Sequence, residues 1–196
     1  MIVLGLTGSI GMGKTTLSRM LSRLGCAVHN SDEIVHYALS PKGEAFEEVA
    51  LTFPESWDKK NHLIQRDILG KIIFDNPQKR KQLEEILHPI VRQNQKKFIQ
   101  KQKRLGREFV VLDIPLLFET GAENRVDYTI VATAPYHIQR QRVLHRQGMS
   151  EEKFQAILKS QLSDVEKQKR ADFVVSTGMG MAYSFRTLKN ILQEIK

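Results

Sequence analysis

Residues 8–15, Gly8-Ser9-Ile10-Gly11-Met12-Gly13-Lys14-Thr15, fit the pattern GxxxxGK[ST] in full, and this stretch constrains the fold more than any other part of the chain. The pattern needs a strand in front of it and a helix behind, and both are legible. Ile2 to Thr7 is an apolar run of strand length. From Thr16 to Leu24 the residues Leu17, Met20, Leu21 and Leu24 recur at helical spacing, with Gly25 where a helix ends in the left-handed conformation. In such a unit the glycines let backbone N–H groups turn inward around phosphate oxygens, and the positive end of the helix dipole adds to them. Lys14 is expected to reach the β- and γ-phosphates of ATP and the Thr15 hydroxyl to ligate Mg²⁺, with Gly8, Gly11, Met12, Gly13 and Thr16 completing the cradle.

The remaining pattern alternates strands with helices, which predicts an α/β fold with a parallel sheet flanked by helices and ligand chemistry at the carboxyl ends of the strands. A second strand is expected over Cys26 to His29, followed by a helix from Asp32 to Leu39 stopped by Pro41 and Gly43. Phe46 to Arg66 reads as an irregular connection. Helices are expected from Gln65 to Asp75, from Pro77 to Leu87 and from Pro89 to Leu105, with a break at His88 because a proline suits a first helical position. Phe109 to Ile114 and Asp127 to Thr133 are continuous apolar runs of the kind covered on both faces. Pro135 opens a helix to Gln147, Ser150 caps a long polar helix, Phe173 to Thr177 forms a last strand, and Phe185, Leu188, Leu192 and Ile195 stripe a closing helix.

Composition narrows the class. The 196 residues suit one domain, with 41% hydrophobic and 27% charged residues in ordinary globular proportion. One cysteine, Cys26, excludes an intrachain disulfide and a cysteine zinc knuckle and suits a reducing compartment, so a cytoplasmic protein is expected. No apolar run approaches the length that crosses a bilayer, and the apolar start lacks the basic segment of a signal peptide. The net charge of +8 is concentrated between Lys79 and Arg107, where ten basic residues meet two acidic ones. Nucleic acid is one reading of that excess. The 7% aromatic content and the absence of an RNP or helix-turn-helix signature count against it, and a solvated helix face beside a site for a small polyanion is favoured.

The chain has no NKxD and no LSGGQ-like segment, which leaves a small-molecule or nucleotide kinase as the best-fitting class. Such an enzyme clamps the transferring phosphoryl group with extra cations and orients an acceptor hydroxyl with a carboxylate. Arg142 and Arg146, four apart on one expected helix, are candidate lid arginines. Asp32 after the second strand and Asp113 at the end of the third are each candidates for the acceptor base or a magnesium partner. The oligomeric state stays open.

Beyond the loop, the chain resembles the dephospho-CoA kinase family over nearly its whole length. Leu6 to Thr16 is similar to the family's LTGGIGSGKST. Leu87-His88-Pro89 matches its LHP, Asp113-Ile-Pro-Leu-Leu117-Phe-Glu119 its DVPLLFE, and Gln139, Arg142 and Arg146 its QxxRxxxR. Asn30-Ser31-Asp32 resembles its DAD with asparagine first, which leaves Asp32 as the carboxylate, and Gln161 matches a later glutamine. The resemblance implies a P-loop NTPase-type core, about residues 1–32, 108–134 and 171–196, a helical acceptor-binding insertion at about 33–107 and a helical lid at about 135–170. It implies transfer of phosphate from Mg-ATP to the ribose 3′-hydroxyl of dephospho-CoA, with Asp32 as base, Lys14, Arg142 and Arg146 on the phosphates, and Arg66, His88 and Leu117 as acceptor-side residues. Another P-loop kinase acting on a nucleoside monophosphate, or a basic nucleic-acid-binding protein switched by ATP, are the alternatives.

Overall fold

The computed structural model describes residues 1–74 and 76–196. The chain divides into two compact units, one of residues 1–29 and 102–196 and the other of residues 30–101.

The first unit carries a sheet of five strands, β1 (Ile2–Thr7), β2 (Ala27–Asn30), β5 (Phe109–Asp113), β6 (Tyr128–Thr133) and β7 (Phe173–Ser176), in the order β2-β5-β1-β6-β7. β1 pairs in parallel with β5 and β6, and β6 with β7. All five residues of β5 are buried, as expected of a strand covered on both faces. Leu4, Leu6, Val111, Ile130 and Val175 meet α1 (Lys14–Arg23) through Leu17 and Leu21, and the closing helix through Leu188 and Leu192. Because β1 lies in the middle of the sheet, its carboxyl end delivers the glycine loop at the centre of the strand ends.

The second unit is helical: α2 (Ser31–Ala38), α3 (Phe46–Thr52), α4 (Arg66–Phe74) and α5 (Pro77–Arg104). Its core gathers Phe46, Val49, Phe53, Leu69, Leu83 and Leu87. Two expectations change here. The stretch read as irregular holds α3, a 3-10 turn at Pro54–Ser56, and a hairpin of β3 (Trp57–Asp58) with β4 (Leu63–Ile64). The hairpin turn is stitched by Asp58, whose carboxylate accepts from the backbone N and the amide of Asn61 at 3.0 and 2.8 Å. Those bonds hold the Asp58 carboxyl below its usual range. The break at His88 is absent, and α5 runs for 28 residues through Pro89. Leu87 and Ile90 on either side of the proline pack into the same core, and the carbonyl that Pro89 leaves without its helical donor belongs to the exposed Glu85, where water can replace it. The expected helix from Gln65 has its last residue, Asp75, outside the described residues.

The remaining helices belong to the first unit: α6 (Tyr136–Leu144), α7 (Glu151–Ser160), α8 (Asp164–Arg170) and α9 (Met181–Glu194). The long polar helix expected after Ser150 is therefore two. Ser163 restarts the chain as a cap, accepting from the backbone N of Glu166 at 3.2 Å. α6 stops at Leu144 and not at Gln147, because His145 caps it with a ring nitrogen 2.7 Å from the Gln141 carbonyl. Among the described residues no helix is long and apolar enough to cross a membrane.

Candidate active site

The loop between β1 and α1 is held by close packing at two glycines. Gly13, at φ 85°, precedes α1, and a Cβ there would stand 2.8 Å from Thr177 Oγ1. Gly11, at φ 77°, lies so close to α6 that a Cβ would meet Val143 at 2.5 Å. Both positions are left-handed, and any side chain would also collide with its neighbour.

A phosphate cradle works only if its N–H groups converge, so its carbonyls must point away and find donors of their own. Three successive carbonyls do so here. Ile10 O accepts from Gln139 Nε2 at 2.7 Å, Gly11 O from Arg142 at 3.5 Å, and Met12 O from the Thr177 hydroxyl at 2.8 Å. Arg142 also donates to Thr177 Oγ1 and O at 2.8 and 2.9 Å, and the Ile10 N–H donates to Gln161 Oε1 at 3.2 Å. Lys14 opens α1, whose first amides have no intrahelical acceptors. Its ammonium forms an ion pair with Asp113, which ends β5 and is 3% exposed.

The other expected site residues fall as follows. Thr15 is exposed one residue into α1, beside the half-buried Thr16, and Met12 is in the core. Leu117 has no exposed surface and packs where a Cβ on Gly5 would touch it, which makes it a packing residue and gives it no face for a ligand. Arg142 and Arg146 do not share a helical face, since α6 ends between them; Arg146 is exposed, and Arg140 pairs with Glu151 at 2.8 Å. In the second unit the cap of α2 is Asn30, whose side chain accepts from Asp32 N at 3.1 Å, so Asp32 sits in the first turn with its carboxylate exposed. Glu33 accepts from the Asn30 amide at 2.9 Å, and Ser31 from the buried Gln95 at 3.0 Å. Arg66 lies against the ring of His36, and His88 is half-buried on α5. Sequence reasoning gave no role to His36, placed Thr177 only where the resemblance has an asparagine near the adenine, and gave Ile10 no role beyond its place in the loop. Thr177 and Ile10 are joined to their partners only through tertiary structure, and no local pattern marks them.

The profile of the dephospho-CoA kinase family matches residues 2–182. The chain belongs to the dephospho-CoA kinase family. A dephospho-CoA kinase of Agrobacterium fabrum is 47% identical over 195 residues, covering 100% of this chain and 98% of that one. One of Mesorhizobium japonicum is 44% identical over 196 residues, at 100% and 98% coverage. Among solved structures, the dephospho-CoA kinase from Campylobacter jejuni superposes with a TM-score of 0.71 at 31% identity, covering 98% of this chain and 96% of that one. The protein TT1252 from Thermus thermophilus gives 0.86 at 33% identity, with 100% and 98% coverage. A shikimate kinase from Bacteroides thetaiotaomicron, 14% identical with a TM-score of 0.50 and 98% coverage of both chains, shares the fold alone. Membership of the dephospho-CoA kinase family makes this chain a kinase with a phosphate loop, and ATP the phosphate donor.

Proposed function

We propose that this protein phosphorylates the ribose 3′-hydroxyl of dephospho-CoA with ATP, giving coenzyme A and ADP in the last step of coenzyme A synthesis. The observation that carries the reading is the braced phosphate loop with its Lys14–Asp113 pair, in a chain of the dephospho-CoA kinase family.

The 3′-oxygen attacks the γ-phosphorus in line, the bond to the β–γ bridging oxygen breaks with ADP as leaving group, and the hydroxyl proton passes to the Asp32 carboxylate. Lys14 exchanges Asp113 for phosphate oxygens, and the exposed Arg146 supplies further positive charge to the transferring group. Arg142 contributes to the same site through the loop it braces. Arg66 and His88 face the acceptor as part of a second unit assigned to dephospho-CoA, its basic α5 suited to a diphosphate-bearing molecule.

The donor set fits Mg²⁺. The Thr15 hydroxyl and Asp113 carboxylate are hard oxygen donors, and Mg²⁺ is commonly held by one or two such groups together with substrate phosphates. Among the described residues there is no cluster of three acidic, histidine or cysteine side chains that would form an all-protein cage. When bound, the ion neutralises phosphate charge. The cytoplasm is the proposed compartment, in keeping with a single buried cysteine.

The test is ADP release from Mg-ATP with dephospho-CoA, with AMP and adenosine as parallel acceptors. Turnover specific to dephospho-CoA, with coenzyme A as product, is expected; turnover on AMP alone would replace this acceptor with a nucleoside monophosphate.

A further inference from the structure

Ile10 is the one loop residue whose N–H and C=O are both taken by amide side chains, and both amides lie far along the chain from it, 129 and 151 residues away. Gln139 on α6 donates to the carbonyl at 2.7 Å, and Gln161, in the connection between α7 and α8, accepts from the N–H at 3.2 Å. The chemistry fixes which end of each amide does the work: a carbonyl needs a nitrogen and an N–H needs an oxygen.

Both glutamines are themselves held. Gln139 is 3% exposed, and its side chain packs against the space where a Gly11 Cβ would stand. Gln161 is fixed through its neighbour, since Leu162 N donates to Glu119 Oε1 at 2.9 Å. Glu119 in turn lies 2.9 Å from the ammonium of Lys167, a fully buried lysine for which this carboxylate is the counter-charge. The support for one loop peptide therefore runs from the segment after β5, through the α7–α8 connection, to the phosphate cradle.

We propose that Gln161, working against Gln139, is a positioning residue for ATP: it fixes the Ile10 peptide so that the Gly11 amide and those leading into α1 are aimed at the phosphates before the nucleotide arrives, while the Met12 N–H stays on Ser9 O at 3.1 Å. Ile10 stands next to Gly11, which has no side chain to limit its rotation, so a peptide freed at Ile10 passes its disorder to the amides beyond. The effect acts on donor binding and not on the acceptor. The inference rests on reading the loop as the ATP site.

The experiment combines Ile10 amide hydrogen exchange in nucleotide-free protein with calorimetric titration of Mg-ATP, for wild type, Q161M, Q161A and Q161E. Loss of one neutral hydrogen bond predicts exchange at Ile10 faster by roughly fivefold or more, and a Kd for Mg-ATP weaker by roughly fivefold, in Q161M and Q161A. Q161E keeps an acceptor oxygen and restores slow exchange. Q139E takes the donor away from the Ile10 carbonyl and sets an anionic oxygen against it, which loosens the peptide and speeds exchange at Ile10 relative to wild type, so the same change has opposite outcomes at the two positions. Melting temperatures are read on the same samples, and Q161A serves if the thioether of Q161M disturbs packing. Wild-type exchange at Ile10 in both truncations overturns the proposal, as does an unchanged Kd for Mg-ATP in both. Neither measurement involves an acceptor, so failure to turn over dephospho-CoA would sink the proposed reaction and leave this assignment standing.

Discussion

Replacing Thr177 with valine keeps the shape of the side chain and deletes one oxygen, so what changes is carried by that oxygen. The hydroxyl has one hydrogen, which goes to Met12 O at 2.8 Å in preference to Thr133 O at 3.2 Å, while its lone pair takes Arg142 at 2.8 Å. In T177V the Met12 carbonyl, on a residue 3% exposed, loses its donor, a cost of about 1–2 kcal/mol. Arg142 loses a charge-assisted bond but keeps the one to Thr177 O at 2.9 Å and has access to solvent, so that term is discounted to about 1 kcal/mol. The sum, about 2–3 kcal/mol, lowers Tm by about 5–10 °C in a chain of this size. The same change frees a carbonyl that must point away from the cradle, so the KM for ATP rises roughly fivefold while the KM for dephospho-CoA is unchanged. Calorimetric melting and steady-state ADP release read the two effects. A Tm within about 1 °C of wild type together with an unchanged ATP KM would refute the view that the loop is held through its carbonyls.

Asp32→Asn lowers kcat by roughly 10²–10⁴ with only a small change in Tm, because Asp32 is exposed in the first turn of α2; full kcat in steady-state assays removes it as base. Lys14→Met abolishes turnover and destabilises by about 3 kcal/mol, since it strands the Asp113 carboxylate in a buried position; in the K14M/D113N double variant Tm recovers in part and activity does not. Burial pushes the Cys26 thiol up from an ordinary 9.0 to about 11. Between those values the folded chain keeps a proton that the unfolded chain has released, so stability falls as pH rises through about 9 to 11, by at most about 1.4 kcal/mol per pH unit. Urea midpoints at the two ends of that window check this, and the contribution is absent from C26A.

How much of this was legible depended on how local the cause was. The phosphate loop could be read because its glycines answer to backbone geometry within eight residues, and the structure gives two of them left-handed angles and close neighbours. Ser163-x-x-Glu166 is equally local, a cap signature in plain view, yet the polar run around it read as one helix. The hairpin at Trp57–Ile64 carried its signal in Asp58 and Asn61, obscured by strands of two residues each. Pro89 misled for the opposite reason, because its local preference is real and is outweighed by Leu87 and Ile90 packing on both sides of it. The partners of Ile10 lie 129 and 151 residues away, beyond any pattern a window can hold.

The groups that brace the loop are chemically of one kind. Gln139, Gln161 and Thr177 carry no charge, and Arg142, the exception, has its guanidinium committed to Thr177. A carboxylate in place of Gln161 would satisfy the same N–H but would set a negative charge beside the arriving triphosphate. A lysine in place of Gln139 would satisfy the same carbonyl, and the arriving phosphate would then compete with that carbonyl for its ammonium. Neutral amides and a hydroxyl need no counter-charge, so on the proposed reading they can hold the backbone in the same way with and without the phosphates. On the same reading the mobile charge is that of Lys14, which this structure shows paired with the Asp113 carboxylate.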